Sequence, residues 1–525
     1  MQKKAVSFYT QKLSDLQISK NTLRKRNSYF YVIRLVIFLI SFASLVSFIK
    51  NTHNYIYLII CILSFISLLI AVKLNIKLKY KAKYTNNQIQ IVENELNYLN
   101  YNFNHHYSGE EYFKLNPNLS ADFDLFGNGS LFQFINRTSC KSSEKEFAES
   151  LCKSELDTNK IKDKQQAIKE LSSKSAFSLN FRTLGTFIKE YGNELENIEL
   201  WLNQDAGKIK ILRFLSFILP IITVLFIILI ILNSITYQSI ILPVFLNLIV
   251  VYFNLRKINL AHSKLNNISQ ILKNYSELLK QIENEDFNSD YLRKLNNSLH
   301  SNELQASKSL LALFKLLNAF DFRLNIIIAI LLNSLFIFDI QLYCKLEKWK
   351  KIHKDNILLW FKTLAEFDSL LSYSIFAFNY QNELNYPELS TQNFEFDAIE
   401  MGHPLINNEK RVNNNVRINW KPSITIITGA NMAGKSTFLR SISINLILAM
   451  NGAPVCAKKL IFSPCDIMSS IKIHDSLFKN ESYFYAELLR LKEVINHANN
   501  NPQTIIFLDE ILRGTNTKDK QNYNK

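Results

Sequence analysis

The stretch that decides the fold of this chain reads GANMAGKS and occupies residues 429–436. It fits the pattern G-x-x-x-x-G-K-[S/T], in which a glycine-rich loop and the next helix N-terminus surround a phosphate with backbone N–H groups. Residues 424–427 predict a short buried strand before the loop. Ser436–Met450 predicts a helix after it, which Asn451 and Gly452 end. This order of strand, loop and helix predicts a nucleotide-binding P-loop.

The loop and the first helical turn are predicted to hold the phosphates of ATP. Lys435 is expected to reach the β- and γ-phosphates, and the Ser436 hydroxyl is expected to bind Mg²⁺. The predicted nucleotide contacts are Gly429, Ala430, Asn431, Met432, Ala433, Gly434, Lys435, Ser436 and Thr437.

A second motif, TIIFLDE at residues 504–510, predicts an apolar strand that ends in two acids. Asp509 is expected to join Ser436 in the coordination shell of Mg²⁺, and Glu510 is expected to polarise the attacking water. Glu510 and Lys435 are therefore the predicted catalytic residues, with ATP and Mg²⁺ as cofactors.

The composition favours long helices and an interaction with negative charge. The chain has 525 residues, of which 48% are hydrophobic, with only 11 Gly and 9 Pro and a net charge of +16. Nucleic acid, anionic lipid and the cationic flanks of membrane helices each explain such a charge. The 6 cysteines form no C-x-x-C pair, which argues against a zinc site or a disulfide framework.

Four apolar runs predict two transmembrane helix hairpins. They are Tyr29–Ile49, Asn54–Val72, Phe214–Leu232 and Ile240–Phe253, each near or somewhat below the roughly 20 residues that a spanning helix needs. Buried helices of a soluble core are the alternative. A fifth run, Leu324–Phe338, is short and bounded by charges, so it predicts a core helix and not a span.

Lysine and arginine residues stand outside each pair of runs, whereas the loops inside the pairs carry few of them. Examples are Arg24–Arg26 before the first run and Lys73–Lys83 after the second. The positive-inside rule then places both termini and all soluble parts in the cytoplasm. The predicted location is the cytoplasmic membrane, in a multi-pass arrangement.

Several segments resemble the MutS family of DNA mismatch repair ATPases. Residues 124–138 resemble the opening of its helical core, residues 402–406 resemble the start of its ATPase domain, and TGANMAGKST resembles its P-loop. The resemblance implies an ABC-type ATPase that works as a homodimer through the ATPase domain. It also implies that Ser482 reaches the nucleotide of the partner subunit. The alternative role for Ser482 is a helix cap.

The resemblance has two departures. Nothing similar to the mismatch-recognition domain precedes the core, and the second apolar hairpin lies within the lever region. DNA binding related to mismatch repair stays open. The net positive charge is weak evidence for it, because that charge collects mainly beside the apolar runs. The family's final strands and dimerising helices are not found after Asp519, so the ATPase domain is expected to be incomplete.

The predicted fold class is an α-helical core and lever region with transmembrane helix hairpins, followed by an incomplete α/β P-loop domain of the ABC type. The predicted units are a cytoplasmic segment 1–28, hairpin 29–72, first core part 73–213, hairpin 214–253, lever and core 254–395, and ATPase domain 396–525.

Three functions are compatible with these features. The first is a membrane-anchored ATPase that binds and hydrolyses ATP. The second is a non-hydrolysing nucleotide-binding remnant that acts as a membrane-associated interaction protein. The third, half of an ABC transporter, is disfavoured because no L-S-G-G-Q signature precedes Asp509.

Overall fold

The computed structural model of the chain is mostly helical, with a small mixed sheet. It describes residues 3–50, 54–190, 194–204, 209–265, 268–301, 304–390, 395–419, 424–430, 434–471, 483–509 and 511. The helices are α1 (Lys3–Lys50), α2 (Tyr55–Leu99), α3 (Pro117–Asp122), α4 (Leu131–Ile135), α5 (Lys141–Cys152), α6 (Thr158–Ser173), α7 (Ser175–Gly185), α8 (Glu194–Leu202), α9 (Ile209–Ile231), α10 (Ile241–Leu265), α11 (Ser269–Glu283), α12 (Asp290–Ser298), α13 (Ala306–Phe320), α14 (Ile326–Phe336), α15 (Phe338–Asn379), α16 (Lys435–Met450) and α17 (Tyr483–Asn500).

The strands are β1 (His300–Ser301), β2 (Leu304–Gln305), β3 (Glu388–Leu389), β4 (Glu395–Met401), β5 (Asn414–Asn419), β6 (Lys459–Phe462), β7 (Asp466–Ser470) and β8 (Thr504–Leu508). One sheet has the order β3-β6-β4-β5, in which β3 is parallel to β6 and the other pairs are antiparallel. β7 and β8 form a separate parallel pair, and β1 and β2 a short antiparallel one.

The first apolar hairpin is a pair of long helices, α1 and α2, that pack along each other. Their apolar runs are exposed, as with Leu39 at 55% and Leu63 at 61%. The opposite ends are buried in the helical region, where the Tyr9 hydroxyl donates to Asn379 Oδ1 at 3.0 Å. The predicted boundaries after residues 28 and 72 therefore lie inside continuous helices, and the division into units stays a prediction.

The second apolar hairpin consists of α9 and α10, which also pack together. Asn247 of α10 is fully buried and donates through Nδ2 to Thr223 Oγ1 of α9 at 2.9 Å. Within the described residues, four helices are long and apolar enough to cross a membrane: α1, α2, α9, and α10 extended by the preceding turn.

The prediction that residues 324–338 form a core helix was wrong. The segment forms α14, and its side chains are largely exposed, with Ile326 and Ile327 at 73% and Leu331 at 57%. The reason is its position: α14 packs on α9 and α10, outside the main core. Hydropathy alone does not distinguish a buried face from one exposed beside another apolar surface.

The core is organised around α15, which has 42 residues and packs against α5, α6 and α13. Beside its C-terminal end lies the fully buried carboxylate of Glu95. Arg137 Nε and Arg182 Nη2 each lie 2.8 Å from Glu95 Oε1. Asn379 Nδ2 donates to the other oxygen at 2.7 Å. This cluster joins α2, α7 and α15 by charge-assisted hydrogen bonds.

Candidate functional site

Helix α16 begins directly after the glycine loop and confirms the predicted helix. Gly434 precedes it with φ 87°, a left-handed backbone conformation that residues with a Cβ rarely adopt and that glycine adopts readily. Asn451 follows its last residue, and Gly452 turns the chain away with φ 72°. The first turn of α16 therefore presents its backbone N–H groups at the end of the loop.

The prediction of a buried strand at residues 424–427 was wrong. These residues are described but lie outside the sheets, and Ile424 and Ile426 are 91% and 79% exposed. A strand in this position is buried only when neighbouring strands pair with it. No described strand pairs with these residues, so their apolar side chains stay at the surface.

Strand β8 carries the second motif and pairs with β7 in parallel register, Thr504 opposite Asp466. Phe507 is buried and packs edge-on against Phe123, with ring centroids 5.7 Å apart. Asp509 follows at the carboxyl end of the strand, where its N–H donates to Ser470 O at 3.1 Å. The strand thus holds the Asp509 backbone in a defined position.

The structure brings Ser436 and Asp509 into direct contact, although they are 73 residues apart in the sequence. Ser436 Oγ donates to Asp509 Oδ2 at 2.5 Å. Lys435 Nζ donates to the backbone oxygen of Gly429 at 2.8 Å. The hydroxyl and carboxylate are hard oxygen ligands of the kind that Mg²⁺ prefers, and the ammonium group suits a phosphate.

Some of the other predicted site residues belong to the described part of the chain, and some do not. Gly429 and Ala430 are exposed at the loop start, and Thr437 is exposed in the first turn of α16. Asn431, Met432, Ala433, Ser482 and Glu510 lie outside the described residues. Their predicted roles stay predictions.

Contacts along α16 attach the candidate site to the helical region. Arg440 Nη1 donates to Asp124 Oδ2 at 2.7 Å, and its Nε donates to Asp122 O at 3.0 Å. At the far end, Asn451 Nδ2 donates to Ser150 O at 2.9 Å. Sequence reasoning missed these links, because a polar residue in an apolar helix signals a buried partner without naming it.

A second set of contacts attaches α16 to the segment that begins the β4–β5 connection. Asn445 is fully buried, donates to Gly402 O at 2.9 Å and accepts from Cys456 N–H at 2.7 Å. Burial, with a contribution from Arg440, lowers the pKa of His403 to about 4. Its imidazole is therefore neutral at pH 7, and Nδ1 accepts from the Leu405 N–H at 3.3 Å.

Comparison with known proteins gives a match to the family model MutS domain V over residues 425–522. Similar curated proteins are the DNA mismatch repair protein MutS of Staphylococcus aureus strains JH9, Newman and N315. Each is 32% identical over 187 residues, which is 34% of this chain and 21% of the relative. The chain thus spans about a fifth of the length of these relatives. The match to the family model includes residues 429–436, α16 and β8. The C-terminal part of this chain is therefore similar to MutS domain V over residues 425–522.

Proposed function

We propose that this chain is a membrane-anchored ATPase of the MutS type, which binds and hydrolyses ATP through a P-loop domain. The observation that carries the proposal is the 2.5 Å contact between Ser436 Oγ and Asp509 Oδ2. It joins the start of the helix after a glycine loop to the end of a strand, as nucleotide hydrolysis with a bound metal requires. The Lys435 ammonium lies beside the same loop.

The residues at this point fit Mg²⁺ and a triphosphate. Ser436 and Asp509 would hold the metal, which neutralises charge on the β- and γ-phosphates when it is bound. Lys435 would exchange its Gly429 carbonyl for phosphate oxygens, and the N–H groups of the first α16 turn would face the same anion. Glu510, the next residue after Asp509, is proposed to orient the attacking water.

Membrane anchoring is the second part of the proposal. The exposed apolar surfaces of α1, α2, α9 and α10 support it, since soluble proteins rarely expose apolar patches of this size. The cationic residues that flank the runs support a cytoplasmic location for the soluble parts by the positive-inside rule. The proposed location is the cytoplasmic membrane.

The partners are proposed from the matched relatives, whose name is DNA mismatch repair protein MutS. By this relation the chain would act in a process related to mismatch repair, would pair as a homodimer through its ATPase domain, and would bind DNA. A filter-binding series against salt tests the DNA part. A steep loss of affinity with salt supports it, and a weak, flat response contradicts it.

The central test is ATP binding and phosphate release by the full chain in nanodiscs. Lys435→Ala should weaken ATP binding at least about tenfold, or about 1.4 kcal/mol. Asp509→Asn should abolish Mg²⁺-dependent turnover. Lys492→Ala, at an exposed lysine of α17, is the matched control and should behave as the wild type.

Unchanged turnover in the Lys435 and Asp509 variants would exclude this site. Binding without any phosphate release would favour the alternative function, a non-hydrolysing nucleotide-binding protein that acts through membrane association and partners.

A further inference from the structure

A groove of about 590 Å³ runs between α13 and α15, where these two helices adjoin α14. Its wall is mainly apolar, and its edge carries three exposed lysines. None of the described residues that line it is Asp or Glu. The apolar wall includes Leu316, Ala319, Phe338 and Leu342, and the lysines are Lys315, Lys345 and Lys348.

The groove opens beside an apolar surface that α14 shares with the second hairpin. Asn247 Nδ2 donates to Ser334 O of α14 at 2.6 Å as well as to Thr223 of α9. Thr223 lies near the middle of the apolar run 214–232. The C-terminal part of α14 therefore stands at the depth of the proposed membrane interior, with Ile330 and Leu331 exposed.

Lys345, at the edge of the groove, lies at the level of the cationic flank of α9. Gln341 Nε2 of α15 donates to Ser216 O of α9 at 3.3 Å, which sets the two helices in register. From this contact, Lys345 is about 6 Å further along α15, and Arg213 is about 5 Å back along α9. Each of these steps moves away from the apolar run of α9. Lys345 and Arg213 therefore lie at about the same level along the proposed membrane normal.

We infer that this groove binds an anionic phospholipid of the bilayer. Its phosphate would contact Lys315, Lys345 and Lys348, and an acyl chain would lie along the apolar wall. The exposed face of α14 would contact neighbouring acyl chains. The inference rests on the proposed membrane anchoring, and it is carried by the match between an apolar groove with a cationic edge and a lipid with an anionic head.

The site can be tested with photoactivatable phospholipids that carry a diazirine on the acyl chain. The full chain in nanodiscs receives either the phosphatidylglycerol or the phosphatidylcholine form, and labelled peptides are mapped by mass spectrometry. The phosphatidylglycerol form should label the groove several-fold more strongly than the phosphatidylcholine form, whereas both forms should label the exposed face of α14. The triple variant Lys315→Gln, Lys345→Gln, Lys348→Gln should reduce groove labelling about tenfold or more, with α9 and α10 labelling unchanged.

The matched control is Lys351→Gln with Lys354→Gln, at exposed lysines of α15 that do not line the groove. It should leave groove labelling unchanged. Equal labelling of the groove by both lipids, or unchanged groove labelling in the triple variant, would overturn the lipid site. So would a groove that is protected from lipid and cross-linked to a second copy of the chain. Absent labelling of α9 and α10 would instead refute the membrane anchoring itself.

Discussion

Replacement of Glu95 by Gln tests the cluster that joins the first hairpin to the helical core. The Glu95 carboxylate is fully buried, and the side chains of Arg137 and Arg182 are only 3% and 11% exposed. Glu95→Gln leaves two buried guanidinium groups without a counter-charge. Breaking a buried pair in this way costs about 3–5 kcal/mol. We expect the free energy of local opening in α2, α7 and α15 to fall by that amount.

Hydrogen exchange measured by mass spectrometry on the full chain reads this opening for each helix separately. Glu93→Gln is the matched control, because Glu93 is an exposed carboxylate on the same helix. If Glu95→Gln changes exchange in α2 and α15 no more than Glu93→Gln does, the cluster does not stabilise the junction.

The same variant has a pH signature. Burial acts to raise the pKa of Glu95, but Arg137 and Arg182 outweigh it and lower this pKa from 4.5 to about 2. A lowered pKa in the folded state stabilises the protein above about pH 4.5, and this contribution is lost as the pH falls towards 2. The wild type should therefore lose the advantage over Glu95→Gln across that interval. A constant difference between the two proteins from pH 5 to 2 would contradict the assignment.

Two further variants test packing contacts. Gly452→Ala should destabilise the junction of α16 and α6 by about 1–3 kcal/mol, because a Cβ would stand 2.7 Å from Gln165 N. Gly129→Ala, where φ is also positive but nothing lies within 4 Å, is the control, and equal thermal shifts would exclude the clash. Asn247→Leu removes an interhelical hydrogen bond and should weaken the attachment of α14 by about 0.6–2 kcal/mol. Protease should then cleave α14 faster in nanodiscs than it does in the wild type. Unchanged cleavage would show that the bond to Ser334 does not hold α14.

The candidate site was partly predictable, because each half of it is a local pattern. A glycine loop before a helical segment indicates α16, and an apolar run before two acids indicates β8 and Asp509. The contact between Ser436 and Asp509 was expected only from the role of the two motifs. The position of Asp509 in this contact follows from the pairing of β8 with β7 and from the packing of Phe507 on Phe123, which no local pattern reports.

The sequence by itself determined the long apolar helices, the helix after the glycine loop and the chemistry of the residues beside it. These features depend on hydropathy, periodicity and capping, which act over a few neighbouring residues. Only the tertiary structure decided that α14 is exposed beside the second hairpin and that residues 424–427 stay outside the sheets. Whether an apolar segment is covered depends on which distant segments fold against it, and that information is spread over the whole chain.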